Sequence, residues 1–264
     1  MEWTDQGVVL GTRRQGEGHL VLDLLTARHG RHLGLVRGGR SRRLAAALQP
    51  GNSLRATWRA RLDEQLGHFQ VEPVTERAAR LIAEPSALFA LQALATLARL
   101  LPERDPHPEI HAAFEAVLDV LAGIARDSAG MAAPPSAGGN SFLGAPATAL
   151  LVARMELGLL EALGFGLDLS ACALSGARDD LAFVSPKSGR AVAAGPGAPY
   201  ADRLLRLPPA LLGRQDGADP SPADGRDALR LTGHFLDRHV FLSRGLAVPA
   251  ARVQLLALVE RAER

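Results

Sequence analysis

A small β-barrel followed by a mainly α-helical domain, an α+β chain of more than one domain, is what this sequence predicts. Three observations carry the prediction. The first 76 residues break into short strand-like segments separated by glycines and polar turns. From about Glu76 onward the apolar spacing changes to the interval of helices. At 264 residues and 47% hydrophobic, the chain is long enough for one or two domains and apolar enough for a packed core.

The strand-like segments are Gln6–Arg14, His19–Thr26, Arg31–Arg37, Leu54–Leu62 and Gly67–Thr75. The fourth is the clearest. Leu54, Ala56, Trp58, Ala60 and Leu62 alternate with Arg55, Thr57, Arg59 and Arg61, and strand geometry sends alternate side chains to opposite faces. One face therefore packs while the other presents a row of arginines. Like charges on one face repel, so the row favours an anionic partner. Five short strands in this length fit a small closed barrel, and the OB-fold is the commonest such barrel that binds nucleic acid. The barrel domain is expected over residues 1–78 and the helical domain over 79–264.

In the second part, Pro85–Leu101 carries Leu88, Leu91, Leu94, Ala95, Ala98 and Leu101 as one apolar stripe. Asp105, before Pro106, is the expected N-cap of a helix running through Ile110, Phe114, Val117, Leu118 and Leu121. Ala129–Pro146 reads as a Gly/Pro/Ser loop, and a third helix as Ala147–Leu163. Gly213–Gly225 reads as a second polar loop, before helices over Arg226–Arg244 and Pro249–Arg261.

Several classes are excluded early. The opening Met-Glu-Trp-Thr-Asp-Gln-Gly is acidic and lacks the apolar core of a secretory signal. The apolar run Pro85–Ala98 is too short to span a bilayer, and the uncharged stretch Ala129–Ala153 is broken by prolines and glycines. The single cysteine, Cys172, excludes an internal disulfide framework and any cysteine-rich metal site. A soluble, cytoplasmic protein is the expectation.

The net charge of +2 hides an uneven distribution. Between Arg13 and Arg61 stand eleven arginines (13, 14, 28, 31, 37, 40, 42, 43, 55, 59 and 61) against two acids, Glu17 and Asp23, a local net of +9. The only lysine in the chain is Lys187. The arginine fork, always charged, suits phosphate, and a local excess of this size is the electrostatic footprint of a polyanion partner. Within it, Arg37-Gly-Gly-Arg-Ser-Arg-Arg43 sets four arginines around two glycines that let the backbone come close to a partner. Aromatic residues are scarce there: Trp3, Trp58 and Phe69, with Trp58 on the packing face. A base-stacking platform is thin, so contacts should go to phosphates, with little sequence readout and a steep salt dependence.

No enzyme is supported. His107 and His111 have the four-residue spacing of zinc sites, but the zincin pattern needs Glu directly after the first His, and here Pro108 follows. His234 and His239 diverge by about 140° on a regular helix, so with Asp237 they form no convergent set. Lys187-Ser188 lacks the upstream glycines of a phosphate-binding loop.

Three blocks resemble the RecO family of bacterial DNA repair proteins. The first is Gly7-Val-Val-Leu10, Gly16-Glu17, Leu24-Leu-Thr26 with Gly30, and Val36 to Arg43. The second is Glu156 to Phe165, then Leu169, Cys172 and Ser185-Pro-Lys-Ser-Gly-Arg190. The third is Ala228 to Leu236 with Pro249-Ala-Ala-Arg252. The resemblance implies an N-terminal OB domain, binding of single- and double-stranded DNA, annealing of complementary strands and joint work with RecR. It further implies help in loading RecA onto DNA coated by single-stranded DNA-binding protein (SSB), whose acidic C-terminal tail would dock in the helical half. It carries DNA binding onto Arg37, Arg40, Arg42 and Arg43; Arg13, Arg14, Arg55, Arg59 and Arg61 are added on the charge argument. No catalytic residue, metal or cofactor is expected, and the location would be cytoplasmic and nucleoid-associated. A basic OB adaptor of RNA or the ribosome is the alternative.

One departure stands out. Many members of that family carry a four-cysteine zinc module after the central helix, whereas here Ser175 follows Cys172 at the second position and no Cys or His lies from Ala173 to Gly233. Tetrahedral zinc needs four ligands, so segment 168–200 is expected to be a degenerate, zinc-free counterpart of a zinc finger. Packing of Leu181, Phe183 and Val184 would hold it, with Cys172 as a small buried apolar residue.

Overall fold

The computed structural model describes residues 1–128, 144–213 and 220–263. Most of the Ala129–Pro146 loop and the middle of the Gly213–Gly225 loop lie outside the described residues. The chain divides into two compact units, Met1–Pro135 and Ser136–Arg264.

The first unit is built on five strands: β1 (Glu2–Gln15), β2 (His19–Thr26), β3 (Arg31–Val36), β4 (Ser53–Arg59) and β5 (His68–Thr75). They close into a barrel in the order β1-β2-β3-β5-β4. The length of β1 makes closure possible: its first half pairs with β4 from Glu2 to Val8, and the rest pairs with β2 from Gly7 to Gln15. A register shift between Val9 and Gly11 marks where the strand turns from one partner to the other. Inside pack Val9, Leu22, Leu24, Leu54, Trp58 and Phe69. Gly34 is required there, since a Cβ would stand 2.5 Å from the Phe69 ring.

β2 departs from simple alternation, because every residue from Val21 to Thr26 is buried. Its outer face is covered along with that of β1. Helices α3 (Pro85–Ala98) and α4 (Pro108–Ser128) pack against the barrel there, preceded by the short α2 (Ala78–Ala83). The compact unit therefore runs on past residue 78, the expected end of the barrel domain. Two buried polar residues pin this arrangement. The Asn52 side chain donates to the carbonyls of Ala46 and Ala47 and accepts the backbone N–H groups of Arg77 and Ala78. Arg77, 3% exposed, places its guanidinium 2.6 Å from Ser53, Glu115 and Asp119.

One local expectation is corrected, and one element is added. Helix α4 starts at Pro108, so Asp105 is not its cap and His107 precedes the first turn. Between β3 and β4, where the sequence predicts no element, stands a short helix, α1 (Arg42–Ala47), whose Ala47 and the following Leu48 close the barrel core.

The second unit holds α5 (Ala145–Ala162), a three-stranded sheet in the order β7 (Ala191–Ala193), β6 (Leu181–Val184), β8 (Leu205–Arg206), and a single-turn α6 (Ala194–Gly197). Helices α7 (Pro222–Leu236) and α8 (Ala250–Ala262) follow. α7 begins earlier than its apolar pattern, because Ser221 and Asp224 form a reciprocal capping box. A π turn over Asp237–Phe241 and a 3-10 turn over Leu242–Arg244 continue it. α5, α7 and α8 meet at a buried pair. Arg252 donates to both carboxylate oxygens of Glu156 at 2.7 and 3.0 Å, and Thr232 donates to the same carboxylate. Glu156 is fully buried. The second and third blocks of the family resemblance converge on this cluster.

Candidate nucleic-acid interface

The register decides which arginines stand together. Arg14 lies opposite Leu20, and Leu20 lies opposite Val36, the residue before Arg37. The turn after β3 then folds onto the β1–β2 hairpin. The Gly38 N–H points at His19 Nδ1 (3.2 Å), and Arg40 donates from its guanidinium to the Glu17 carbonyl (2.5 Å). Gly38 takes a positive φ of 64°, and a Cβ on Gly39 would press against Leu20 at 3.2 Å. The two glycines are there for tight turning and close packing on the hairpin. Arg13, Arg14, Arg37, Arg40, Arg42 and Arg43 are all exposed, and the turn gathers them at one end of the barrel.

Arg55, Arg59 and Arg61 are a different group. Arg55 and Arg59 do face outward on β4, as the alternation requires. Arg59 pairs with Glu2 (2.7 Å), and Arg55 lies between Gln6 on β1 and Glu72 on β5. The strand ends at Arg59, so Arg61 is not on the row but in the following loop, beside Asp63 and Glu64. The outward face of β4 thus carries carboxylates across from its arginines, contrary to an unrelieved cationic row. Arg59 is also eleven positions along β1 from Arg13, roughly 36 Å of strand contour at 3.3 Å per residue.

Other members of the basic stretch pair with carboxylates of the barrel. Arg28 and His29 pair with Asp5, and Arg31 grips Asp23 with two bonds of 2.9 Å. Arg99, at the end of α3, reaches the same Asp23 at 3.3 Å. Asp23, Arg31 and Arg99, together with Arg13, line a cavity of about 290 Å³ on the outer surface of the barrel. Arg99 was invisible in the sequence as part of this surface, since only the packing of α3 on the barrel brings it to Asp23.

The barrel offers no exposed tryptophan, tyrosine or phenylalanine ring to a base. Trp58 and Phe69 are buried, and Trp3 is half-buried against His29 and Trp58. His32 sits among the same rings with neither nitrogen hydrogen-bonded. Burial, helped by the charge of Arg104, pushes it down to about 4.

In the second unit, Cys172 is buried and accepts the backbone N–H of Ala193 (3.2 Å). That bond, with the Ser175 hydroxyl, pushes the thiol down to about 7, so its sulfur is more polar than a simple apolar filler. A lone thiol beside a serine does not fit a four-ligand zinc site. Leu181, Phe183 and Val184 are buried in the β7-β6-β8 sheet instead. His234 bonds the Pro186 carbonyl and His239 stacks on Phe165, with the Phe235 ring beside both.

A closed five-stranded barrel with a concentrated cationic end, joined in one α+β chain to a separate helical unit, is the class this architecture defines. The Recombination protein O N-terminal model matches residues 1–77 and the Recombination protein O C-terminal model matches residues 143–245. Proteins called DNA repair protein RecO are similar along the whole chain. One from Methylobacterium nodulans is 53% identical, covering 98% of both chains. One from Chelativorans sp. is 53% identical over 99% of this chain and 96% of its own, and one from Xanthobacter autotrophicus 49% over 99% and 98%. The chain belongs to the RecO family of DNA repair and recombination proteins. No helix among the described residues is long and apolar enough to cross a membrane.

Proposed function

We propose that this chain is a non-enzymatic recombination mediator that binds single- and double-stranded DNA through backbone phosphates, anneals complementary strands and, with RecR, helps load RecA onto SSB-coated DNA. The gathering of Arg13, Arg14, Arg37, Arg40, Arg42 and Arg43 at one end of an OB-type barrel carries this reading. Two DNA strands repel and must shed counterions to approach. A cationic surface without base readout holds both loosely and lets them search for register. Base-pairing energy then drives the product, so no nucleotide hydrolysis is needed. The C-terminal tail of SSB is acidic and docks in the helical half, and the place of work is the cytoplasmic nucleoid. Segment 168–200 acts as a zinc-free descendant of the family's metal module, with the β7-β6-β8 sheet replacing the metal.

The test is annealing of complementary oligonucleotides coated with the cognate SSB, at low and high salt. Acceleration that is salt-sensitive and disappears when the SSB tail is deleted is expected. Intact DNA binding with no acceleration would overturn the mediator reading and favour a generic basic adaptor with RNA partners.

A further inference from the structure

The second unit contains a cavity of about 600 Å³, within the range of pockets that take small organic ligands (about 300–1,000 Å³). Its walls combine two kinds of surface. Leu174 and Tyr200, the only tyrosine in the chain, are 60% and 51% exposed, large apolar side chains left open to solvent. Around them stand Lys187, Arg203 and Arg238, and no carboxylate lines the cavity. Arg238 is held in place by the Pro186 carbonyl at 2.9 Å. Among the described residues, the carboxylate paired with a rim cation is Asp202, 3.8 Å from Arg203 and itself well exposed. The wall between is a fixed turn: the Gly189 N–H bonds the Ser185 carbonyl (2.9 Å), and Gly189 takes a φ of 68°.

An apolar, partly aromatic floor with a cationic rim suits a ligand that is flat and apolar at one point and anionic beside it. We propose that this cavity receives one unpaired base of single-stranded DNA against Tyr200 and Leu174, with the flanking phosphates held by Lys187, Arg203 and Arg238. The proposal rests on the reading of the chain as DNA-binding and adds what the barrel lacks, an exposed Tyr, Trp or Phe ring on which a base can stack. A base in a duplex is already stacked and paired, so the site discriminates single strands from duplex.

The experiment measures binding of the full chain to oligothymidine and to a blunt duplex across a salt series, with circular dichroism confirming the fold of each variant. Tyr200→Ala is expected to weaken oligothymidine binding about tenfold, the scale of one base–aromatic stack. It should leave duplex affinity and the salt slope unchanged. Tyr200→Phe should retain binding, and Leu174→Asp, at an exposed position, should weaken it further by setting a carboxylate beside the phosphates. If Tyr200→Ala and Leu174→Asp bind oligothymidine like the parent while Arg40→Ala/Arg42→Ala weakens both DNA forms, the base site is wrong and the barrel interface stands. Equal loss on both DNA forms also overturns it, as does an acidic peptide that occupies the cavity without competing with oligothymidine. If the parent binds neither DNA form, the underlying reading fails instead.

Discussion

The hairpin end of the barrel and the outer face of β4 are drawn from the same basic stretch of sequence, yet they differ in what faces their arginines. At the hairpin end six arginines are exposed, and Arg40 donates to a backbone carbonyl, which leaves its charge in place. On β4, sheet register sets Glu2 and Glu72 across from Arg59 and Arg55. Arg77 and Arg252 lie at the far extreme, buried and gripped by carboxylates. An arginine's role here follows from the carboxylate that the fold brings to it, and charge density along the chain is a poor guide to that.

The harshest test of this idea is Arg252→Ala. It strands a fully buried Glu156 without its partner, and truncating one member of a buried pair costs about 3–5 kcal/mol. Urea unfolding should show that loss, and the double change Arg252→Met with Glu156→Leu should recover most of it. An unchanged midpoint for the single variant would sink the argument.

His32 supplies the next effect, on pH. The unfolded histidine takes its proton near 6.5, whereas the folded one resists until about 4. Between these values the unfolded chain binds the extra proton, so stability present above 6.5 is lost as pH falls toward 4, by about 3 kcal/mol in all. Stability measured across that window should level off below it, and His32→Phe should flatten the curve. A parent curve with no slope there would contradict the burial argument.

Arg40→Ala/Arg42→Ala should weaken binding to all DNA sequences alike. The slope of log affinity against log salt should become shallower by about 0.9 for each phosphate no longer neutralised. Loss confined to one sequence would mean base readout and break the phosphate model. Arg55→Ala/Arg59→Ala is the matched control, with an expected change of about twofold or less, in keeping with the small worth of exposed ion-paired groups. Losses equal to those at the hairpin end would show that Glu2 and Glu72 do not neutralise the row.

Much of the fold was legible in local patterns. The alternation of Leu54, Ala56 and Trp58 with arginines put the right side chains inside β4, and β2 matches its expected bounds, His19–Thr26. Helices were legible in type but less so in their ends. Asp105 looks like a cap, yet α4 starts at Pro108, while the Ser221–Asp224 box starts α7 ahead of its apolar pattern. α1 was missed because its first turn is arginine-rich and its apolar content is mostly alanine. The candidate site was half legible. Arg37 to Arg43 stand out by density, but nothing local marks Arg99 as a neighbour of Asp23 or Glu2 as the partner of Arg59.

The sequence by itself determined the two kinds of architecture, the family to which the chain belongs and the place where positive charge is concentrated. The architecture and the charge rest on residue periodicity and composition and the family on its three motif blocks, all of them local properties. Tertiary structure alone decided which of those charges remain uncompensated, which face of the barrel the helices cover, and that Glu156, Thr232 and Arg252 form one buried cluster. The reason is physical: electrostatic compensation and burial depend on distance in space, and strand register and helix packing bring together residues that lie far apart in the chain.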